Sequence, residues 1–398
     1  MFSSLKVRDF RIYWLGMLVS LVGSWIQITA QSWLIFRLTH SAFLLGFVGF
    51  LSSIPVFFLA LFGGLLADRK NKKNILIWTQ TAFMILAFIL AVLTQLKLIT
   101  PVQIMLIAFL NGIVMAFDAP SRQAVVAELV DSRHLMNAIA LNSAAFNSAR
   151  MIGPALAGVL VAIVGMSGCF YINGISFLAV IAALLVINLT ALPANVPSGR
   201  AFKDLHEAVI FIKNNRALFL LIIQVCIVSL FGVSYVVLMP IFADNILHVG
   251  VKGLGFLTGA SGAGALSGAL ILARLGDFKY KGRLLVFSSI AFSLSLIVFG
   301  MSKMYWLSLA VLFFTGGFSV LALALSNTLL QIKVPHALRG RLMSFFLLTF
   351  AGVMPFGNLI AGSVAQAWGA AFVVTASGVV CATIFIIINT IYTDIWDI

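Results

Sequence analysis

The sequence predicts an all-α membrane protein with about twelve transmembrane helices in two pseudo-symmetric six-helix bundles, on three observations. The 398 residues are 62% hydrophobic and 9% charged, with a mean hydropathy of +1.14, whereas a water-soluble domain carries about 25% charged residues. Apolar runs close to the ~20 residues needed to cross a bilayer recur along the chain between short polar breaks. The chain also repeats itself: "GPALAGVLVAIVG" from Gly153 matches "GNLIAGSVAQAWG" from Gly357 at an offset of 204. At an offset of 209, Phe10, Ser20 and Gly23 match Phe219, Ser229 and Gly232. Continuous apolar runs exclude a β-barrel, whose strands are short and alternating.

The first span, 12–36, is too long for a signal-peptide core and lacks a small-residue cleavage site, so it reads as membrane-embedded. Ser20, Ser24, Gln27 and Gln31 share one of its faces. The second span, 43–66, leaves the membrane at Asp68 and Arg69, and the third covers 75–96. The fourth, 101–122, aligns Asn111, Met115, Asp118 and Arg122; the fifth, 137–165, aligns Ser143, Asn147, Arg150, Pro154 and Gly158; the sixth covers 169–190. Residues 193–216 contain Pro197, Gly199 and several charges, and read as a linker between residues 1–192 and 217–398, with a short amphipathic helix at 203–212. The second half places spans at 217–243, 253–273, 284–301, 305–332, 342–368 and 371–392. "GASGAGALSGAL" from Gly259 lacks the lysine of a nucleotide-binding loop and lies inside a span, where small residues pack helices. Span 305–332 carries Ser319, Asn327 and Gln331.

The net charge of +14 does not signal nucleic acid. With the N-terminus cytoplasmic, twenty of the 25 Lys and Arg fall on the cytoplasmic side, four (Arg37, Lys97, Lys252, Lys303) on the other, and Arg150 lies within a span. That asymmetry orients the chain with both termini in the cytoplasm. Cys169, Cys226 and Cys381 stand far apart in apolar segments and read as packing residues. The five histidines fall in or beside loops without ligand spacing, so neither an enzyme nor a metal or other cofactor is expected.

Arg150 is the anomaly. Its guanidinium stays charged, and placing it at the bilayer centre costs at least about 2.5 kcal/mol. The repeat-related residue is Met354, so the fold does not demand arginine there. The nearest acid, Asp118, sits near the cytoplasmic end of its span, whereas Arg150 is about 14 residues into its own, roughly 20 Å deeper. Two readings stand: Arg150 lines a cavity and meets cargo, or it caps carbonyls freed around Pro154. Gly153, Pro154 and Gly158 read as packing and bending positions. Gln27, Gln31, Asn111, Asn147, Asn327 and Gln331 line the same cavity or bind helices together. Two parallel halves around a midplane cavity imply alternating access.

"GGLLADRKNKKNIL" from Gly63 resembles the signature loop of the major facilitator superfamily, departing at Asn71 where the family has glycine; "ARLGDFKYKGRLL" from Ala273 is a weaker second copy. With "FDAPSRQAVVAELV" from Phe117, "NAIALNSAAFNSARMIGPALAG" from Asn137 and "RGRLMSFFLLTFAGVMPFGNLIAG" from Arg339, the chain resembles the branch containing enterobactin exporters and macrolide or multidrug efflux proteins. The resemblance implies a monomeric proton-coupled exporter in the bacterial cytoplasmic membrane, moving a small anionic or amphiphilic molecule such as a siderophore; the alternative is broad drug or macrolide efflux. It also implies a conformational latch in which Asp68 meets Arg339 and Arg341 while Arg69 pairs with Asp118. Asp118 is the coupling residue it suggests.

Overall fold

A computed structural model describes residues 3–187, 209–276, 278–335 and 338–391, the side chains of Arg339, Arg341, Ser344 and Ile391 excepted. Most of the expected amphipathic linker helix therefore lies outside the described residues, although 209–214 are helical. After a short 3-10 turn, Ser3–Lys6, the helices are α1 Arg8–Thr39, α2 Ala42–Arg69, α3 Lys72–Gln95, α4 Pro101–Glu128, α5 Ser132–Val186, α6 Arg216–Ile227, α7 Tyr235–Ile241, α8 Gly250–Leu275, α9 Lys281–Met301, α10 Tyr305–Lys333, α11 Arg339–Trp368 and α12 Ala370–Ile391. Among the described residues, eleven helical segments are long and apolar enough to cross a membrane.

Local chemistry sets the ends. Asn71, the departure from the signature loop, is the N-cap of α3 and accepts from the Lys73 amide at 2.9 Å; asparagine suits that position because its side chain satisfies an amide with no helical partner. Thr100 and Gln103 form a reciprocal capping box at the start of α4. The Lys73 ammonium donates to the Ile187 carbonyl at 2.9 Å, placing positive charge on the exposed carbonyls at the end of α5.

The two expected spans 137–165 and 169–190 are two helical arms of α5 that meet at a kink without a loop. α5 runs 55 residues, and its only non-helical position is Gly165, at φ 74° and ψ 177°. A single glycine in a conformation closed to residues with a Cβ turns the chain between two arms, 132–164 and 166–186. Its repeat-related residue, Gly369, has φ 86° and makes the equivalent turn between α11 and α12. The expected span at 217–243 is found as one segment, Arg216–Ile246, made of α6 and α7 with two π-helical turns, Val228–Gly232 and Phe242–Ile246. Each π turn adds a residue to the hydrogen-bonded ring, such as Val233 N to Val228 O at 2.9 Å.

The chain forms two compact units. One holds the described residues within Met1–His40, Leu51–Val196 and Val249–Gly259; the other holds those within Ser41–Phe50, Pro197–His248 and Ala260–Ile398. Each unit thus takes in a segment of about ten residues from the opposite half of the sequence. The two borrowed segments correspond, to within one residue, at the offset of 209. In the first unit, Phe10, Tyr13, Leu76, Val125 and Leu141 belong to one core. In the second, Leu218, Leu221, Leu325, Leu329 and Phe346 do.

Candidate functional site

The first arm of α5 has three distinguishable sides. One meets α1: Gly153 lies against Trp25 and the Val22 carbonyl, and Phe146 packs edge-on against Trp25 with centroids 6.0 Å apart. A second meets the start of α8. A Cβ built on Gly255 would lie 2.9 Å from the Gly158 Cα, and one on Gly259 would lie 3.4 Å from the Ala155 Cβ. The third side carries the exposed apolar residues Ile152, Leu156, Val159 and Ile163, which suit lipid. At 3.6 residues per turn, Ser143, Asn147, Arg150 and Pro154 fall between the α1 and α8 sides, almost opposite the apolar one. Arg150 is half-buried there, and among the described residues it has no ion-pair or hydrogen-bond partner.

The other polar positions divide. Gln27 is buried, and its side-chain oxygen accepts from the Asn173 amide at 2.8 Å across the seam between α1 and the second arm of α5. Gly23 lets Asn173 and Ser176 approach that seam. Gln31 and Asn111 are half-buried. Asn147 donates to the Ser143 carbonyl within its own helix at 2.9 Å, and Gln331 donates to Asn327 at 2.6 Å. Spacing alone marked all six in the same way, because a packed seam and a cavity wall both occupy one face of a helix.

Asp118 is fully buried and triply held. Thr79 Oγ1 at 2.8 Å and Gln80 Nε2 at 2.7 Å, both on α3, donate to one carboxylate oxygen, and Arg122, one turn along α4, pairs with the other. The pairing expected from the resemblance, Arg69 with Asp118, is replaced by Arg122, whose i,i+4 position brings its guanidinium to the carboxylate while Arg69 is exposed at the end of α2. Lys72 on α3 forms an ion pair with Glu128 on α4 at 2.6 Å. Asp68 is exposed, and the Arg339 and Arg341 side chains expected to meet it lie outside the described residues. Thr79 and Gln80 have no mark in the sequence, since an isolated hydroxyl or amide in an apolar run has no periodic signature. The three cysteines are free thiols, and among the described residues no group of His, Cys, Asp and Glu could hold a metal ion.

Gly153, Pro154 and Gly158 sit where backbones meet. A Cβ on Gly255 would lie 2.5 Å from the Pro154 carbonyl oxygen. The second unit repeats the arrangement between α2 and α11: a Cβ on Gly362 would lie 2.7 Å from the Gly46 Cα and 2.7 Å from the Ala42 carbonyl oxygen. The repeat relates the two crossings, Gly158 to Gly362 at an offset of 204 and Gly46 to Gly255 at 209.

A sequence profile of the family described as transmembrane secretion effector matches residues 1–396. The chain is 26% identical over 378 residues to a staphyloferrin A transporter of Staphylococcus aureus, covering 92% of this chain and 93% of that protein. It is 26% identical over 343 residues to the enterobactin exporter EntS of Citrobacter koseri, covering 85% and 81%. Among solved structures, a bacterial homologue of the human lysosomal transporter Spinster, inward-facing and occupied, superposes with a TM-score of 0.75 over 98% of each chain at 13% identity. A D-xylose-proton symporter superposes at 0.74, with 12% identity over 94% of this chain and 97% of its own. At these identities the two structures establish the fold.

Proposed function

The chain belongs to the transmembrane secretion effector family of major facilitator transporters, and from that premise we propose that it exports a small anionic organic molecule, a siderophore foremost, across the bacterial cytoplasmic membrane. It works by alternating access of two six-helix bundles, 1–192 and 217–398, with both termini cytoplasmic, as a monomer coupled to protons. The observation that carries the reading is Arg150, a permanent cation without a partner among the described residues, on the flank of α5 turned away from the lipid-facing side. A water-filled path offsets the cost of that charge, and a cargo bringing its own negative charge is attracted to it. The relatives named for staphyloferrin A and enterobactin support a siderophore as cargo. Asp118 is the coupling acid, taking a proton as Arg122 withdraws.

The test compares, by untargeted mass spectrometry, the culture media of the parent, a deletion strain and an Arg150→Ala strain, each grown with and without iron. An iron-repressed anionic compound should disappear from both mutants. An unchanged medium in the deletion strain overturns siderophore export and leaves broad drug efflux. One observation favours that second reading: Phe43, Phe47 and Phe50 stack along α2 at 5.6 and 6.0 Å, and Phe356 meets Phe50 edge-on at 5.9 Å, an aromatic surface in the second unit. Transport of a permanent cation, undiminished in Arg150→Ala, would establish it.

The latch formed by Asp68, Arg69, Arg339 and Arg341 belongs to the same proposal. Asp68→Asn is expected to abolish transport while leaving membrane insertion intact; a normal transport rate in reconstituted vesicles would remove the latch.

A further inference from the structure

The first turn of α2 is capped from the other end of the chain. Ser41 stands just before the helix, and its hydroxyl oxygen accepts from the Leu44 amide at 3.3 Å, the ordinary bond of an N-cap serine. The Phe43 amide, another donor without a helical partner, reaches Gln366 Oε1 on α11 at 3.2 Å. The Ser41 hydroxyl donates to the same oxygen at 2.9 Å. Two converging donors fix the carbonyl end of the Gln366 amide toward α2. In the capping box of α4 the glutamine, Gln103, comes from the helix's own first turn; here it comes from 325 residues beyond Ser41.

The crossing of α2 and α11 is built on glycine, and a Cβ on Gly46 would lie 2.7 Å from the Gly362 Cα. The repeat shows that such a crossing closes without a clasp. At an offset of 204 Gln366 corresponds to Ala162, and at 209 Ser41 corresponds to Gly250, so the crossing of α5 and α8 has neither side chain. Gln366 is exposed and Ser41 half-buried. A hydrogen bond in contact with water changes an equilibrium by about a factor of ten at most. A clasp of that strength biases an arrangement without locking it.

We propose that Gln366 is a detachable cap on α2 and a positioning residue for the transport cycle: it favours the access state in which α2 and α11 touch, and in the other state it leaves the Phe43 amide to water. A cap that comes and goes presupposes alternating access as proposed above.

Deuterium exchange read by mass spectrometry, on the full chain in lipid nanodiscs, tests it. If Gln366 biases the cycle, Gln366→Leu raises exchange roughly three- to tenfold both at 42–46 and at 250–256, the start of α8 in the other crossing. Gln366→Glu keeps the acceptor, and its negative charge suits a helix start, so both segments should stay at the wild-type rate or below it. A rise confined to 42–46 would make Gln366 a local end cap and overturn the proposal, as would no rise at either segment or a glutamate variant that behaves like the leucine one. Gly362→Leu, which parts α2 from α11 at the backbone, separates the two levels. Exchange raised at both segments by Gly362→Leu and not by Gln366→Leu overturns the cap alone; exchange raised by Gly362→Leu at 42–46 only means that the crossings do not open together, and alternating access falls with the cap.

Discussion

Gly362→Leu and Gly255→Leu are each expected to insert into the membrane normally and to slow transport by roughly 10- to 100-fold. At both positions the obstacle to a side chain is backbone. A Cβ on Gly362 would stand 2.7 Å from the Gly46 Cα, and one on Gly255 would stand 2.9 Å from the Gly158 Cα. Backbone cannot rotate aside as a long side chain can, so the helices must part. Overpacking of this kind costs about 1–3 kcal/mol, and 1.4 kcal/mol is a factor of ten in population. If every transport cycle passes through the arrangement in which these glycines touch, the rate falls with that population. Gly64→Ala is the control, since nothing lies within 4 Å of its Cβ position. Initial rates in reconstituted vesicles decide the matter; wild-type rates in both leucine variants would mean that the close crossings are not required for turnover.

The second large effect is on stability. Asp118→Leu removes a buried carboxylate and leaves the Arg122 guanidinium, 17% exposed, without its counter-charge. Breaking a buried ion pair from one side costs about 3–5 kcal/mol, whereas replacing both partners with apolar groups of similar size is often neutral. Asp118→Leu should therefore lower the melting temperature in detergent markedly, and the double variant Asp118→Leu with Arg122→Met should recover most of the loss. A single variant as stable as the double would show that Arg122 finds water or another partner at little cost.

Much of this architecture is legible in the sequence because a bilayer permits few structures. Helix α10, expected at 305–332, is found at Tyr305–Lys333, since its apolar run ends where charge begins. The close of the first arm of α5 at Gly165 was also legible from the repeat, but the direct continuation into the second arm was not, because apolar sequence on both sides looks the same with or without a loop. Asp118 and Arg122 are visibly one turn apart on α4, so both Arg122 and the signature-loop Arg69 stand as neighbours of the carboxylate in sequence, and the structure shows the pair with Arg122. Thr79 and Gln80 reach Asp118 only through the packing of α3 on α4, which no local pattern encodes. Gly46 and Gly255 stand at the same offset that relates Asp68 to Asp277, and could have been paired from the repeat; among 32 glycines, however, a match of two carries little weight until the backbones are seen to meet.

The exchanged segments bear on how the protein is made. Membrane chains emerge from the ribosome N-terminus first, and domains ordinarily fold in that order. Here the first unit includes Val249–Gly259, so six helices can be synthesised and inserted while that unit still lacks a piece. The second unit needs Ser41–Phe50, which by then has long been in the membrane. A nascent chain paused at the linker therefore holds an unfinished first unit and a stretch of α2 still waiting for its neighbours. Assembly of both units is completed only after the second half has been inserted, so the two halves of the gene product mature together.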